Sequence, residues 1–227
     1  MLFIIHCDMD ILIAAATGVE VEALQQSLTE AGLAHTIDFV ITDVGMTAAT
    51  FHLTRHLMTR SYDLAIQAGI AGAFNRSLGI GEVVEVTADA YGDTGAEDGE
   101  AFLSVLDMDL QQQDRPLFEA SPYLYNSCSY TSLRQVKGIT VNTCTGSLPT
   151  EERRKQALAP DIETMEGLPF HYVCTHLQQP FVQLRSISNY TGIRDKSGWD
   201  IPLAIKNLNT FVQDFLQQPH IPSRYRS

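Results

Sequence analysis

Short continuous runs of apolar residues, each closed by turn-forming residues, recur along this chain and alternate with segments of helical spacing. An apolar run without polar alternates marks a strand covered on both faces, because a half-exposed strand alternates instead. Residues 11–16 (ILIAAA) form such a run, and Thr17-Gly18 breaks it. Val21, Leu24, Leu28 and Leu33 then recur near the helical period, ending around Gly32. A strand follows at 37–42, a helix at 47–59 after Gly45, and a strand at 63–68 that runs into Gly69-Ile70-Ala71-Gly72. Residues 82–90 (EVVEVTADA) alternate as a strand, 92–100 read as loop, and 107–135 carry only weak periodicity. Beyond these come a strand at 138–144, a charged helix at 150–159 capped by Thr150, and a short extended piece at 161–165. The chain closes with a helix at 167–177, a strand at 181–188 and an amphipathic helix at 201–216. Pro169 is tolerated because it falls in a first turn. Strand–helix alternation over the whole length predicts one α/β layered domain with a mostly parallel sheet.

With 44% hydrophobic and 19% charged residues, the 227-residue chain can bury a large core. Fifteen Lys and Arg against twenty-seven Asp and Glu leave a formal charge of −12, which opposes nucleic acid and anionic lipid as partners. A small-molecule or protein partner fits better. Cys7, Cys128, Cys144 and Cys174 are scattered without CxxC spacing, so reduced thiols in a cytoplasmic protein are expected. The apolar start Met1-Leu2-Phe3-Ile4-Ile5 lacks a basic flank and does not read as a signal peptide. No run reaches the length of a membrane helix.

In parallel sheets, sites form where strand ends meet loops. Glu20, Gly45, Gly69 to Gly72, Thr143 to Gly146, Glu166, and Asn189 with Arg194-Asp195 all occupy such places. Gly69-Ile70-Ala71-Gly72 lacks the Lys-Ser/Thr of a P-loop and the third glycine of a dinucleotide fingerprint, so its glycines are expected to let a ligand approach the backbone. His52 and His56 share one helix face but have no third ligand in view, so that face is read as solvated and no metal is expected. No GxSxG or Cys/His pairing for acyl transfer is present. Glu20 and Glu166, each after a strand, remain as candidate chemical groups. As first-turn residues either also suits a helix dipole.

Several of these segments together resemble the nucleoside phosphorylase/hydrolase superfamily. They are 11–24, Val44-Gly45-Met46-Thr47-Ala48-Ala49, Gln67 to Phe74, Leu78 to Val84, Glu163-Thr164-Met165-Glu166-Gly167, and Leu184 to Asn189. Within that superfamily, Thr140 to Ser147, Ser188 to Asp195 and Trp199 to Ile205 resemble the futalosine-hydrolase branch. The resemblance covers about 10–218 and implies a three-layer αβα sandwich around a mixed, mostly parallel, partly barrel-like sheet. It also implies a homodimer or larger homo-oligomer and no cofactor. Carried over by position, Glu20 holds the attacking water with Arg185 beside it, Met165 packs on the sugar face, and Glu166 accepts from the sugar hydroxyls. Asn189 takes the place of an aspartate that protonates adenine in the adenine nucleosidases.

That departure points to a different base. An amide offers N–H donors, which suit N7 and a 6-oxo oxygen, whereas a carboxylic acid can also accept from a 6-amino group. Hypoxanthine is therefore expected, and futalosine as the nucleoside. An adenine nucleosidase, a purine nucleoside phosphorylase and a non-catalytic nucleoside-binding module are the competing readings. Hydrolysis is favoured over phosphorolysis because the loops at Gly45-Met46-Thr47 and Gly69–Gly72 offer no cation for phosphate. Ile70, Ala71, Gly72, Thr145 and Gly146 are expected to shape the pocket, and Arg194 or Lys196 to meet a substrate carboxylate, with Arg194 taken as the candidate.

Overall fold

The computed structural model describes residues 8–218 except 34, 100, 119–120 and 127, together with the backbone of 224–225. The chain runs β1 (Asp10–Ala15), α1 (Glu22–Ala31), β2 (Thr36–Ile41), α2 (Met46–Leu57), β3 (Leu64–Ala73) and β4 (Val83–Tyr91). Next come β5 (Gly95–Asp98), β6 (Ala101–Ser104), β7 (Leu124–Tyr125), β8 (Cys128–Ser129), β9 (Gln135–Thr140), α3 (Leu148–Leu158) and β10 (Ile162–Thr164). It finishes with α4 (Gly167–His176), β11 (Phe181–Tyr190) and α5 (Ile201–Leu216).

The main sheet has the order β2-β1-β3-β11-β4-β9-β10, and β10 pairs back onto β3. Strands β3, β11, β4, β9 and β10 therefore form a closed ring, with β1 and β2 continuing outside it. The β1–β2, β1–β3, β3–β11, β4–β9 and β9–β10 pairs are parallel. The β4–β11 and β3–β10 pairs are antiparallel.

The alternation of β1 explains the layers. Ile11, Ile13 and Ala15 pack with Leu24 and Leu28 of α1 and with Leu208, Val212 and Phe215 of α5. Leu12 and Ala14 point the other way, against Leu53 and Leu57 of α2 and Phe170 and Val173 of α4. Helices on both faces leave no solvated side, which is why the run is apolar throughout. Burying each such Leu or Ile stabilises the fold by about 1.5–3 kcal/mol.

Four boundaries differ from the sequence expectation. The strand expected to stop at residue 68 continues through the glycines to Ala73, because β11 pairs with β3 from Ala65 to Ala73 and satisfies its backbone. The expected strand at 138–144 starts earlier, where Gln135 pairs with Glu85, and ends at Thr140. Helix α3 is capped by Ser147, whose Oγ accepts from Thr150 N, and Pro149 sits in the opening turn. Thr150 is thus inside the helix and not its cap. Within the expected loop at 92–100, β5 pairs antiparallel with β6 as an exposed hairpin. Among the described residues no helix is long and apolar enough to cross a membrane. Cys144 and Cys174 are free thiols; Cys7 lies outside the described residues.

Candidate active site

Glu20 ends a short 3-10 turn, Gly18–Glu20, between β1 and α1. Thr17 caps that turn, and its N–H and Oγ1 both donate to Glu20 Oε2, at 2.9 and 3.1 Å. One carboxylate oxygen thereby anchors the turn. The other, Oε1, accepts only a long bond from Ile70 N on β3, 3.3 Å, and Glu20 lines an open cleft. The helix-cap role and a free lone pair coexist in one side chain.

Arg185 lies behind it, 2% exposed, in the ring of strands. Its neighbour in register is Gly69. A Cβ at Gly69 would collide with Arg185 Nη1 and stand 3.1 Å from Glu20 Oε1. The missing side chain is what admits both groups to one place; Gly69 makes no turn there. Gly69→Ala is therefore expected to cost about 1–3 kcal/mol by overpacking and to lower turnover about tenfold or more by displacing the carboxylate. Urea unfolding with steady-state kinetics checks this, and unchanged values in both would show that the interior accepts a methyl group.

Glu166 is the N-cap residue of α4 and is 5% exposed. Its Oε1 accepts from Gly45 N at 2.9 Å, and its backbone oxygen accepts from Gln67 Nε2 at 3.0 Å. Burial raises its pKa; Arg185 and the Gly45 bond oppose the rise, while nearby Glu20 adds to it. Gly45 presents its N–H from a backbone at φ 97°, the left-handed side that glycine adopts without strain.

Asn189 stands near the end of β11, where a bulge between Ile187 and Asn189 re-aims the strand. Its Nδ2 donates to Tyr190 O at 3.1 Å, and its Oδ1 accepts from Ser188 Oγ at 2.9 Å. The carbonyl of Tyr190 requires a donor, which fixes which end of the amide is nitrogen. One N–H is thus taken and one is left for a ligand, where the sequence reading expected two. A Cβ on Gly72 would lie 3.2 Å from that Nδ2, so the bare strand leaves room beside the amide.

Glu20, Glu166 and Asn189 line one cleft of about 360 Å³, within the range of small-molecule pockets. Ile70, Ala71, Gly72, Thr145, Met165 and Arg194 line it too, as the sequence suggested. Gly146 does not; it is exposed on the turn into α3. Arg185 does not touch the cleft either and acts from behind. Arg194 is exposed at the mouth, its guanidinium 5.2 Å from the ring of Trp199, which also lines the cleft. His52 and His56 are each half-buried with partners of their own, Asp43 and Tyr62, instead of facing only solvent. Among the described residues no group of three His, Cys, Asp or Glu could hold a metal.

Glu163 was missed. It lines the cleft at 5% exposure, and its oxygens accept from Thr145 N (2.8 Å), Thr145 Oγ1 (2.5 Å) and Arg154 Nη1 (3.3 Å). Burial raises its pKa against those donors. Its partner Arg154 lies among the many charges of the helix expected at 150–159, where no single residue carries a pairing signal. Trp199, the chain's one tryptophan, was the available pointer to the cleft mouth.

The model of the phosphorylase superfamily matches residues 10–217. The futalosine hydrolase of Acidothermus cellulolyticus is 30% identical, over 87% of this chain and 86% of that protein. The 5'-methylthioadenosine/S-adenosylhomocysteine nucleosidase of Pseudoalteromonas translucida is 28% identical, over 83% and 86%. Among solved structures, the futalosine hydrolase of Helicobacter pylori strain 26695 shares the fold at a TM-score of 0.69 and 15% identity, covering 93% of this chain and 98% of that one. A Colwellia psychrerythraea 5'-methylthioadenosine/S-adenosylhomocysteine nucleosidase in complex with adenine shares it at 0.69 and 20%, covering 92% and 95%.

Proposed function

We propose, from the premise that this chain belongs to the phosphorylase superfamily and within it to the futalosine hydrolase family, that it hydrolyses the N-glycosidic bond of futalosine. The products are hypoxanthine and dehypoxanthine futalosine, and the reaction serves menaquinone biosynthesis. The observation that carries the choice of base is the Asn189 amide, which lines the cleft and keeps one N–H beyond its bond to Tyr190 O. A donor there matches an acceptor of hypoxanthine. An adenine amino group brought against it would leave buried polar groups unpaired.

Cleavage passes through an oxocarbenium-like transition state, so positive charge develops on the sugar. Three carboxyl side chains, Glu20, Glu163 and Glu166, line the cleft, and among the described lining residues Arg194 at the mouth is the one Lys or Arg. That field suits a developing cation and repels phosphate, which favours water as the nucleophile. Glu166 accepts from the ribose hydroxyls while Met165 packs on the sugar. Glu20 Oε1 orients a water at C1′ and takes its proton. Arg185, from inside the ring, lends its charge to Glu166 and stands beside Glu20. Asn189 supplies a hydrogen bond and no proton, so the purine leaves as an anion and is protonated by water. Arg194 meets the carboxylate that futalosine carries beyond C5′. The enzyme works as a cytoplasmic homodimer or larger homo-oligomer.

Incubation with futalosine, inosine and methylthioadenosine, each with and without phosphate, tests the assignment. Free hypoxanthine from futalosine, at a rate independent of phosphate, is expected. Adenine release as the fastest reaction would move the chain to the methylthioadenosine nucleosidases. Phosphate dependence would make it a phosphorylase, and tight nucleoside binding without turnover a binding module.

A further inference from the structure

One buried acid takes no part in that mechanism. Asp89 on β4 is fully buried, and the ring strands β4, β9, β10 and β11 surround it. Two glycines clear its space: a Cβ on Gly138 would stand 2.9 Å from Asp89 Oδ2, and one on Gly167 would collide with the same oxygen. Asp89 Oδ1 accepts from Thr140 Oγ1 at 2.8 Å. Having spent its hydrogen there, the Thr140 hydroxyl accepts from Leu168 N at 2.7 Å. Thr164 Oγ1 accepts from Gly167 N at 3.1 Å. Gly167 and Leu168 open α4, where backbone N–H groups have no partner within the helix. The residue before them is Glu166.

We propose that Asp89, through Thr140, is a positioning residue for Glu166: the pair pins the first turn of α4 and so sets where the Glu166 carboxylate meets the sugar. The inference rests on Glu166 binding the ribose hydroxyls, as read above. Asp89 is needed because it dictates the direction of the Thr140 hydroxyl. Without an acceptor on β4, that hydrogen has only Thr164 Oγ1 at 3.4 Å to turn to, and the lone pair facing Leu168 N is no longer held in place. Gln67 supports the same residue from the opposite side through its bond to Glu166 O. An acid two hydrogen bonds from the helix terminus also complements the helix dipole.

The test compares Thr140→Val, Thr140→Ala and Thr140→Ser, with Glu166→Gln as reference. Among inosine, methylthioadenosine and futalosine, the riboside turned over fastest is assayed beside its 2′-deoxy form. The ratio of the two kcat/KM values does not depend on how much enzyme is folded, so a purely structural defect leaves it unchanged. Thr140→Val and Thr140→Ala are expected to lower the preference for the riboside about tenfold to hundredfold, mostly through KM, and Thr140→Ser to restore it. Should one hydroxyl-free variant not fold, the other carries the measurement. If both keep the preference while Glu166→Gln loses it, the positioning role is overturned and the ribose reading stands. If Glu166→Gln also keeps the preference, both fall.

Discussion

Glu20→Gln is expected to lower kcat by about 10²–10⁴-fold with little change in KM, the range that loss of a general base produces. The substitution is nearly isosteric. Its oxygen can keep the Thr17 bonds that anchor the 3-10 turn, while the amide nitrogen replaces Oε1 beside Ile70 N. The nitrogen gives up the long Ile70 bond, so the fold and the cleft survive with one weak contact fewer, and the main loss is the lone pair that takes a proton from water. Pre-steady-state and steady-state rates on the preferred nucleoside measure this directly. A variant with wild-type kcat would exclude Glu20 as the base and leave the cleft with Glu166 and Glu163, both already committed to backbone or side-chain donors.

The second large effect is on stability. Burial pushes the Asp89 carboxyl up to about 7, against the opposing bonds from Thr140 and Gln183 and the charge of Arg185. A carboxyl held above its unfolded value binds its proton more tightly in the native state. Its contribution is therefore complete below about pH 4 and is lost as pH rises to about 7. The difference from the ordinary carboxyl value corresponds to about 4 kcal/mol. Asp89→Asn should remove most of that slope. An asparagine there keeps an oxygen for Thr140, and Gln183 Oε1, buried without a partner, can turn to accept from its nitrogen. Urea midpoints at pH 4.5, 6 and 7.5 for both proteins give the difference. Parallel pH dependences would place the native Asp89 near its ordinary value. Glu163 and Glu166 are raised by burial as well and contribute with the same sign, so the comparison of the two proteins is what isolates Asp89.

Much of the fold was legible because helix ends carry local chemistry. The last helix was placed at 201–216 and is found there, since Asp200 accepts from Leu203 N and Pro202 opens the first turn. Where two hydroxyls competed for one cap, local chemistry did not decide: Ser147 and Thr150 both qualify, and the following Pro149 marks the true start. In isolation the glycines at 69 and 72 mark the end of a strand, because glycine is a strand breaker. Pairing with β11 overrides that propensity, and the packing of Arg185, Glu20 and Asn189 explains why no side chain fits there. Long-range contact of this kind leaves no trace in a short window.

The site was legible in its residue types and not in its depth. Glu20, Glu166 and Asn189 were found at strand ends and converge on one cleft, whereas Arg185 lies inside the ring. The alternating segment 82–90 suggests a polar face turned to water, yet Asp89 on it is sealed. A sheet that closes has an inside, and polar residues on that side become buried. Sequence alternation alone cannot distinguish a face that meets solvent from one that meets another wall of the same sheet.

Closure also governs how the molecule meets other polypeptides. Each strand of the ring has neighbours on both sides, so none offers an unpaired backbone edge. In the main sheet, β2 and the two-residue β7 are left with a single neighbour. Asp38 in the middle of β2 is held by Arg60 and Tyr62, which places charge on the long open border of the main sheet. Among the described residues of the main sheet, protection against amyloid-like growth is thus concentrated in one ion-paired strand.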